Sequence, residues 1–215
     1  MSGLIIELQK EAIDQESDIL MLLRKAYIAA RKLKLPEFQK WIEYELNGYS
    51  EGEKIPDYRE VSGDVTAWNP YHGWIPVVIN DEVAENKFKR TKLPDAISLL
   101  INIDNNAKNQ RAIINFFAKA NDLLSKACDI ETNYRLEIDT NQINSIIEKV
   151  RNIILDWAIT LEENDITGED LQFSDSEKEI AKSTAIINNY TNNFYGSVES
   201  TQIQQDSASS SQEQK

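Results

Sequence analysis

The stretch YREVSGDVTAWNPYHGWIP, residues 58–76, decides the fold class, because here the chain stops reading as helix. Its segments around Tyr58–Trp68 and Trp74–Ile79 are strand-like, and Asn69-Pro70 with Gly73 marks a turn between them. A third strand-like segment, Asp81–Arg90, follows a second turn at Asn80-Asp81. Between Tyr49 and residue 91 lie Pro56, Pro70 and Pro76, three of the five prolines, together with Gly52, Gly63 and Gly73, three of the seven glycines. Such punctuation goes with short strands. The stretch 57–91 therefore reads as a small antiparallel sheet.

Outward from it, the spacing is helical. Ile5, Leu8 and Ala12, then Ile19, Leu20, Leu23, Ala26, Tyr27, Ala30 and Leu33, recur three and four residues apart, which predicts a short helix over 3–13 and a longer one over 18–34 capped by Ser17. Pro36 suits the first position of a third helix bearing Phe38, Trp41, Ile42 and Leu46, closed by Asn47-Gly48. On the other side, Pro94 opens a helix with Ile97, Leu100 and Ile101, and the run Ile113, Ile114, Phe116, Phe117, Ala120, Leu123, Leu124 and Ala127 predicts another. The most regular pattern is Ile143, Ile146, Ile147, Val150, Ile153, Ile154, Trp157, Ala158 and Leu161, with Thr140 as its cap. Ser174-Asp175-Ser176-Glu177 is a capping box for a last helix ending near Ile187.

The fold class is α+β: a mainly helical domain over 1–187, with a helical layer at 3–48, the small antiparallel sheet inserted at 57–91 and helices over 94–187, followed by a polar tail at 188–215. Tails rich in Asn, Gln, Ser and Thr bury too little apolar surface to offset their ordering entropy, so this one alone is expected to be disordered. Within it, Asn193–Val198 and Thr201–Gln205 are β-prone and uncharged. That suits stacking of identical segments between chains, with Phe194, Tyr195, Val198 and Ile203 in register, Gly196 at a bend, and Gln202, Gln204 and Gln205 forming amide ladders.

Composition narrows the chemistry. Lys and Arg number 23 against 36 Asp and Glu, a formal net charge of −13, so a phosphate-tracking surface is disfavoured and nucleic acid is an unlikely partner. The N-terminus acquires acids at once, and no apolar run approaches the ~20 residues of a membrane span, so a cytoplasmic protein is expected. The single cysteine, Cys128, excludes an intramolecular disulfide or multi-cysteine zinc site, and its apolar setting suggests a buried thiol. With His72 as the only histidine, multi-histidine metal clusters are excluded, and neither a dinucleotide fingerprint nor a P-loop is present. No cofactor or metal is expected. The acidic group Glu162-Glu163-Asn164-Asp165 with Glu169-Asp170 lacks calcium-loop spacing and reads as a solvated loop.

Two constellations stand out. Asp57, after Pro56, with Glu85-Asn86-Lys87 has the outline of a metal-dependent nuclease, in which two acids hold Mg²⁺ and the lysine assists an attacking water. Against it stand the position of Asp57 before the sheet and the acidic surface. The second is the aromatic knot of Trp68, Asn69, Tyr71, His72 and Trp74, which could stack a planar ligand or a partner and hydrogen-bond it through Asn69 and His72. The plainer reading is a turn whose Pro70 and Gly73 set the backbone while Trp68, Tyr71 and Trp74 pack on the helices.

Three blocks together resemble the AbiTii domain family. They are Leu22-Leu23-Arg24-Lys25-Ala26 through Leu33 with Phe38, Trp41-Ile42 and Glu45-Leu46-Asn47-Gly48-Tyr49; then Tyr58-Arg59 with Trp68 through Pro76; then Val150-Arg151-Asn152 with Leu155-Asp156-Trp157-Ala158 and Leu161-Glu162. The resemblance covers residues 3–187 and implies a role in limiting phage by abortive infection, with no catalytic residues to carry over. The expectation is a non-enzymatic interaction or scaffold protein of bacterial defence that self-assembles through residues 188–205 and engages a separate effector or phage protein. The alternative is the Mg²⁺-dependent nuclease.

Overall fold

In the computed structural model, residues 3–183 apart from Asn80 and Lys108 are described. The assembly residues expected in the tail, Phe194, Tyr195, Gly196, Val198, Gln202, Ile203 and Gln204, lie outside the described residues. Eight α-helices and five strands occur among those described: α1 (Leu4–Ile13), α2 (Ile19–Leu33), α3 (Pro36–Asn47), β1 (Glu60–Asn69), β2 (Gly73–Pro76), α4 (Glu82–Phe88), β3 (Arg90–Lys92), α5 (Ile97–Asn106), β4 (Arg111–Asn115), α6 (Ala118–Cys128), β5 (Tyr134–Asp139), α7 (Asn141–Glu162) and α8 (Asp175–Ala181). The fold is α+β with an antiparallel sheet, as the sequence predicts.

The apolar stripes of α1, α2, α3 and α7 meet in one buried cluster that also takes in the inner face of the sheet, from Val61, Val65 and Ala67 to Leu136, Ile138 and Ala112. Phe38, Trp41, Ile42 and Trp157 sit at its centre. Such burial of large apolar side chains is the main force holding the two layers together.

The sheet order is β2-β1-β5-β4, with β3 paired to β1, and every pairing is antiparallel. β1 is the hub. Gly63 stands where β1 crosses β5, and a Cβ there would lie 2.1 Å from the Glu137 carbonyl, so only glycine fits. Next to it the Gln142 side chain donates to the Ser62 carbonyl (2.7 Å) and accepts from the Ser62 amide (2.8 Å), completing the ladder where β5 has ended.

The sheet departs from the sequence reading in its membership. Two strands, β4 and β5, come from beyond the 57–91 stretch. The run from Ile113 to Ala127, expected as one helix, is β4 followed by α6, because pairing with β5 decides between two periods that the spacing of Ile113, Ile114, Phe116 and Phe117 leaves ambiguous. β5 itself shows strict alternation, Tyr134, Leu136 and Ile138 inward and Arg135, Glu137 and Asp139 outward. Conversely, Asp81–Arg90 is not a strand. Asp81 caps α4 by accepting from the Ala84 amide at 2.8 Å, and Glu82-Val83-Ala84-Glu85-Asn86-Lys87 continues as helix before β3.

Helix boundaries shift for local reasons. Asp18, not Ser17, caps α2, accepting from the Leu20 amide, while the Ser17 hydroxyl donates to Asp14. Pro94 does not open α5, which begins at Ile97: the carbonyls of Leu93, Pro94 and Asp95 are taken by Arg59, Tyr49 and Arg59 respectively, which holds the chain extended there. Thr140 makes no side-chain cap for α7; Asp139 accepts from the Asn141 amide instead. The capping box of Ser174 and Glu177 starts α8, which ends at Ala181 rather than near residue 187. Cys128 is half-buried rather than buried.

Candidate functional site

The β1–β2 hairpin carries the aromatic knot. Asn69 Oδ1 accepts from the amides of Tyr71 (2.9 Å) and His72 (3.1 Å), and Gly73 takes a left-handed φ of +74°, so the turn residues fix the loop. The register pairs Trp68 with Trp74 directly across the strands, and their rings meet edge to face with centroids 5.5 Å apart. Both project on the outer face of the sheet rather than packing on the helices, which corrects the plainer reading of the knot. Trp68 remains 45% exposed and Tyr71 88%, and His72 is exposed at the tip.

Outward from the tryptophans, the same face continues as an ordered polar surface. The Arg135 guanidinium lies 4.1 Å from the Trp74 ring centre and pairs with Glu137 at 2.6 Å. Thr66 sits beneath them, its hydroxyl donating to Glu137 Oε1 at 3.2 Å and accepting from Arg135 Nε at 3.3 Å. Farther along, Arg111, Ile113, Arg135 and Glu137 line a groove of about 520 Å³, closed on one side by Ile103, Asn106 and Asn109. The candidate residues Trp68, Asn69, Tyr71, His72 and Trp74 are thus brought together on one hairpin, with Trp68, Tyr71 and His72 exposed.

The nuclease pattern is distributed differently. Asp57, in the helical turn Asp57–Arg59, pairs with Lys92 at 2.6 Å, and that hydrogen bond holds its carboxyl below the ordinary range. Glu85 pairs with Lys89 at 2.6 Å, one turn along α4. Lys92 and Lys89 stand at opposite ends of β3, and Lys87 is exposed on α4. Each acid is therefore engaged with its own lysine.

A further polar cluster escapes a search for exposed chemistry because its charged pair is buried. Arg59 Nη2 donates to Glu45 Oε2 at 2.5 Å and Nε to Oε1 at 3.1 Å, with both side chains fully buried. The hydroxyls of Tyr49 (2.6 Å) and Tyr58 (2.7 Å) donate to the same carboxylate, and Trp41 Nε1 donates to the Tyr58 hydroxyl at 2.9 Å. Arg59 Nη1 completes the set with the carbonyls of Leu93 and Asp95. Burial opposes charge on Arg59, but Glu45 outweighs it, so the guanidinium is held above its ordinary value. A second buried arginine, Arg151 of α7, donates to the carbonyls of Glu11, Asp14 and Ser17, where α1 ends and α2 begins. Such clusters are signalled in sequence only by Glu45 and Arg59 falling on otherwise apolar or aromatic faces.

These geometries bear on ancestry. Trp41, Glu45, Tyr49, Tyr58, Arg59, Arg151 and Trp157 all fall within the three sequence blocks quoted above, and all but the half-buried Tyr58 are buried. The AbiTii family profile matches residues 3–186. Comparison with curated proteins and with solved structures returned no match.

Proposed function

The chain belongs to the AbiTii family, an abortive-infection anti-phage defence domain, and from that premise we propose that it serves defence by recognition rather than catalysis. In this reading it is an interaction or scaffold protein whose aromatic hairpin, Trp68, Asn69, Tyr71, His72 and Trp74, meets an effector or phage protein, and whose residues 188–205 join copies to one another. The observation that supports it is the division of labour in the fold. Of the residues that carry the family likeness, Trp41, Glu45, Arg59 and Trp157 are spent in the interior, whereas Trp68, Tyr71 and His72 of the middle block stand at the surface. There the aromatics of the hairpin are half-exposed yet fixed by an Asn69 turn and a cation–π contact, the arrangement expected of a contact surface ordered before binding. No helix among the described residues is long and apolar enough to cross a membrane, and a cytoplasmic site of action forms part of the proposal.

Efficiency of plating on cells expressing full-length protein tests it. Trp68→Ala and a chain ending at residue 187 are expected to lose protection while the thermal midpoint of Trp68→Ala stays within a few degrees of wild type. Mg²⁺-dependent nicking of plasmid by purified protein, abolished by Asp57→Ala or Glu85→Ala, would instead establish the nuclease alternative.

A further inference from the structure

β4 ends the sheet, pairing with β5 alone among the described residues. A strand edge in this position is a template for another strand, and folded proteins ordinarily guard it with lysine, proline or a bulge. The other edge follows that practice: β2 closes on Pro76, and β3 begins with Arg90 and ends with Lys92. β4 does not. From Ala112 the chain reads Ile113, Ile114, Asn115, Phe116 and Phe117, without charge or proline, and Ile113 is 49% and Phe117 88% exposed.

Each face of this edge also carries a cavity, and the two differ in chemistry. On the outer face lies the groove of about 520 Å³, polar through Arg111, Arg135, Glu137, Asn106 and Asn109. On the inner face lies a cavity of about 400 Å³ lined mainly by Leu93, Ile103, Ile114, Ile138, Ile143 and Phe117. A strand added beside Ile113–Asn115 would send alternate side chains to opposite faces, polar ones into the first and an apolar one into the second.

We propose that the β4 edge receives residues 201–205 of a neighbouring copy of this chain as an added strand, with Ile203 in the inner cavity and Gln202 and Gln204 toward the outer groove. This rests on the self-assembly reading above and names its acceptor. The segment Thr201-Gln202-Ile203-Gln204-Gln205 places its one apolar residue on one face, flanked there by Thr201 and Gln205 at the segment ends, and Gln202 and Gln204 on the other. A slip of one residue would place a glutamine in the apolar cavity, so the register is specified. Glutamine amides supply donors and acceptors to Arg135, Glu137 and Asn106 together. From Ser183, the last described residue, to Ile203 the chain has about 20 residues, an extended reach of roughly 65 Å, enough to cross to another copy.

The test uses full-length protein, with light scattering for mass and far-ultraviolet circular dichroism for folding. Wild type is expected as a defined oligomer, and Ile113→Lys and Ile203→Pro are each expected to fall to the mass of one chain with the helical signal kept. Asn115→Lys replaces Ile113→Lys if the latter loses that signal. In a Cys128→Ser background, an Asn115→Cys chain mixed with a Gln204→Cys chain is expected to form a disulfide-linked heterodimer on mild oxidation. If Ile203→Pro dissociates the oligomer while both β4 variants keep the wild-type mass and no heterodimer forms, tails assemble on one another; the docking site is then overturned and the self-assembly reading survives. A wild-type chain that is itself monomeric overturns both.

Discussion

Trp157 of α7 stacks on Phe38 of α3 with ring centroids 4.1 Å apart and ring planes 29° from parallel, and both side chains are buried. Phe38 also meets Trp41 at 5.2 Å, so three aromatics from the first and third family blocks form one contact at the middle of the helical layer. Trp157→Ala removes one of its two tryptophans and leaves a cavity. The expected cost is about 3–5 kcal/mol, the usual range for a buried large aromatic. Equilibrium denaturation of the variant checks it, and stability equal to wild type would show that this face is not core.

The Glu45–Arg59 pair is a different kind of joint, polar and without solvent. Removing one partner strands the other charge, so Glu45→Ala is expected to cost about 3–5 kcal/mol, more than loss of an exposed ion pair, which is worth about 1 kcal/mol or less. Exchanging both partners for apolar residues of similar size, Glu45→Leu with Arg59→Met, removes the stranded charge and should recover part of that loss. A double-mutant cycle by urea denaturation measures the coupling, and additive single effects would show that the two residues do not act as a pair.

How much of this could be read beforehand follows from the range of each interaction. The helices α1, α2, α3 and α7 are legible because an amphipathic period suffices to specify them even where the expected caps, Ser17 and Thr140, are not the ones used, and Ser174 with Glu177 announces α8 from four adjacent residues. β4 and α4 escape a reading of the sequence for the opposite reason. A five-residue strand has no period of its own beyond what its partner confirms, and the partner of β4 lies across α6 in sequence. The aromatic hairpin was found as a cluster, but the face it occupies depends on the Trp68–Trp74 register. The Glu45 network is invisible as chemistry: three oxygen-bearing side chains and an arginine become a single object only when α3, the turn Asp57–Arg59 and the 93–95 segment are brought together. The tail residues rest on composition alone.

Alkaline pH offers a second test of that network. Burial, and then the negative charge of Glu45, push the phenols of Tyr49 and Tyr58 well above their ordinary value in the folded chain. In the unfolded chain both ionise near pH 10. Above that pH the unfolded state binds fewer protons than the folded one, so stability should be fully present below about pH 10 and fall as pH rises further, by about 1.4 kcal/mol per pH unit for each phenol. Tyr49→Phe is expected to lower stability at neutral pH by the lost hydrogen bond, yet to make the decline above pH 10 shallower. Urea denaturation at a series of pH values measures the slope; an unchanged slope in the variant would mean that Tyr49 does not contribute to it.

The hairpin separates structure from recognition within seven residues. His72 is exposed at the tip, and the hydrogen bond recorded there comes from its backbone amide to Asn69, so His72→Ala should change stability by less than about 0.5 kcal/mol. Trp74 is half-buried between Trp68 and the Arg135 guanidinium, and Trp74→Ala removes a ring pair and a cation–π contact together, each worth about 0.5–1.5 kcal/mol. Its expected cost is therefore about 1–3 kcal/mol, with Arg135 left leaning only on Glu137 and Thr66. Thermal unfolding of the two variants ranks them, and phage plating then gives the ranking a meaning. If His72→Ala keeps full stability but loses protection, the imidazole itself contacts the partner. If protection follows stability alone across His72→Ala, Trp68→Ala and Trp74→Ala, the hairpin is a structural turn and recognition must be sought elsewhere on the surface.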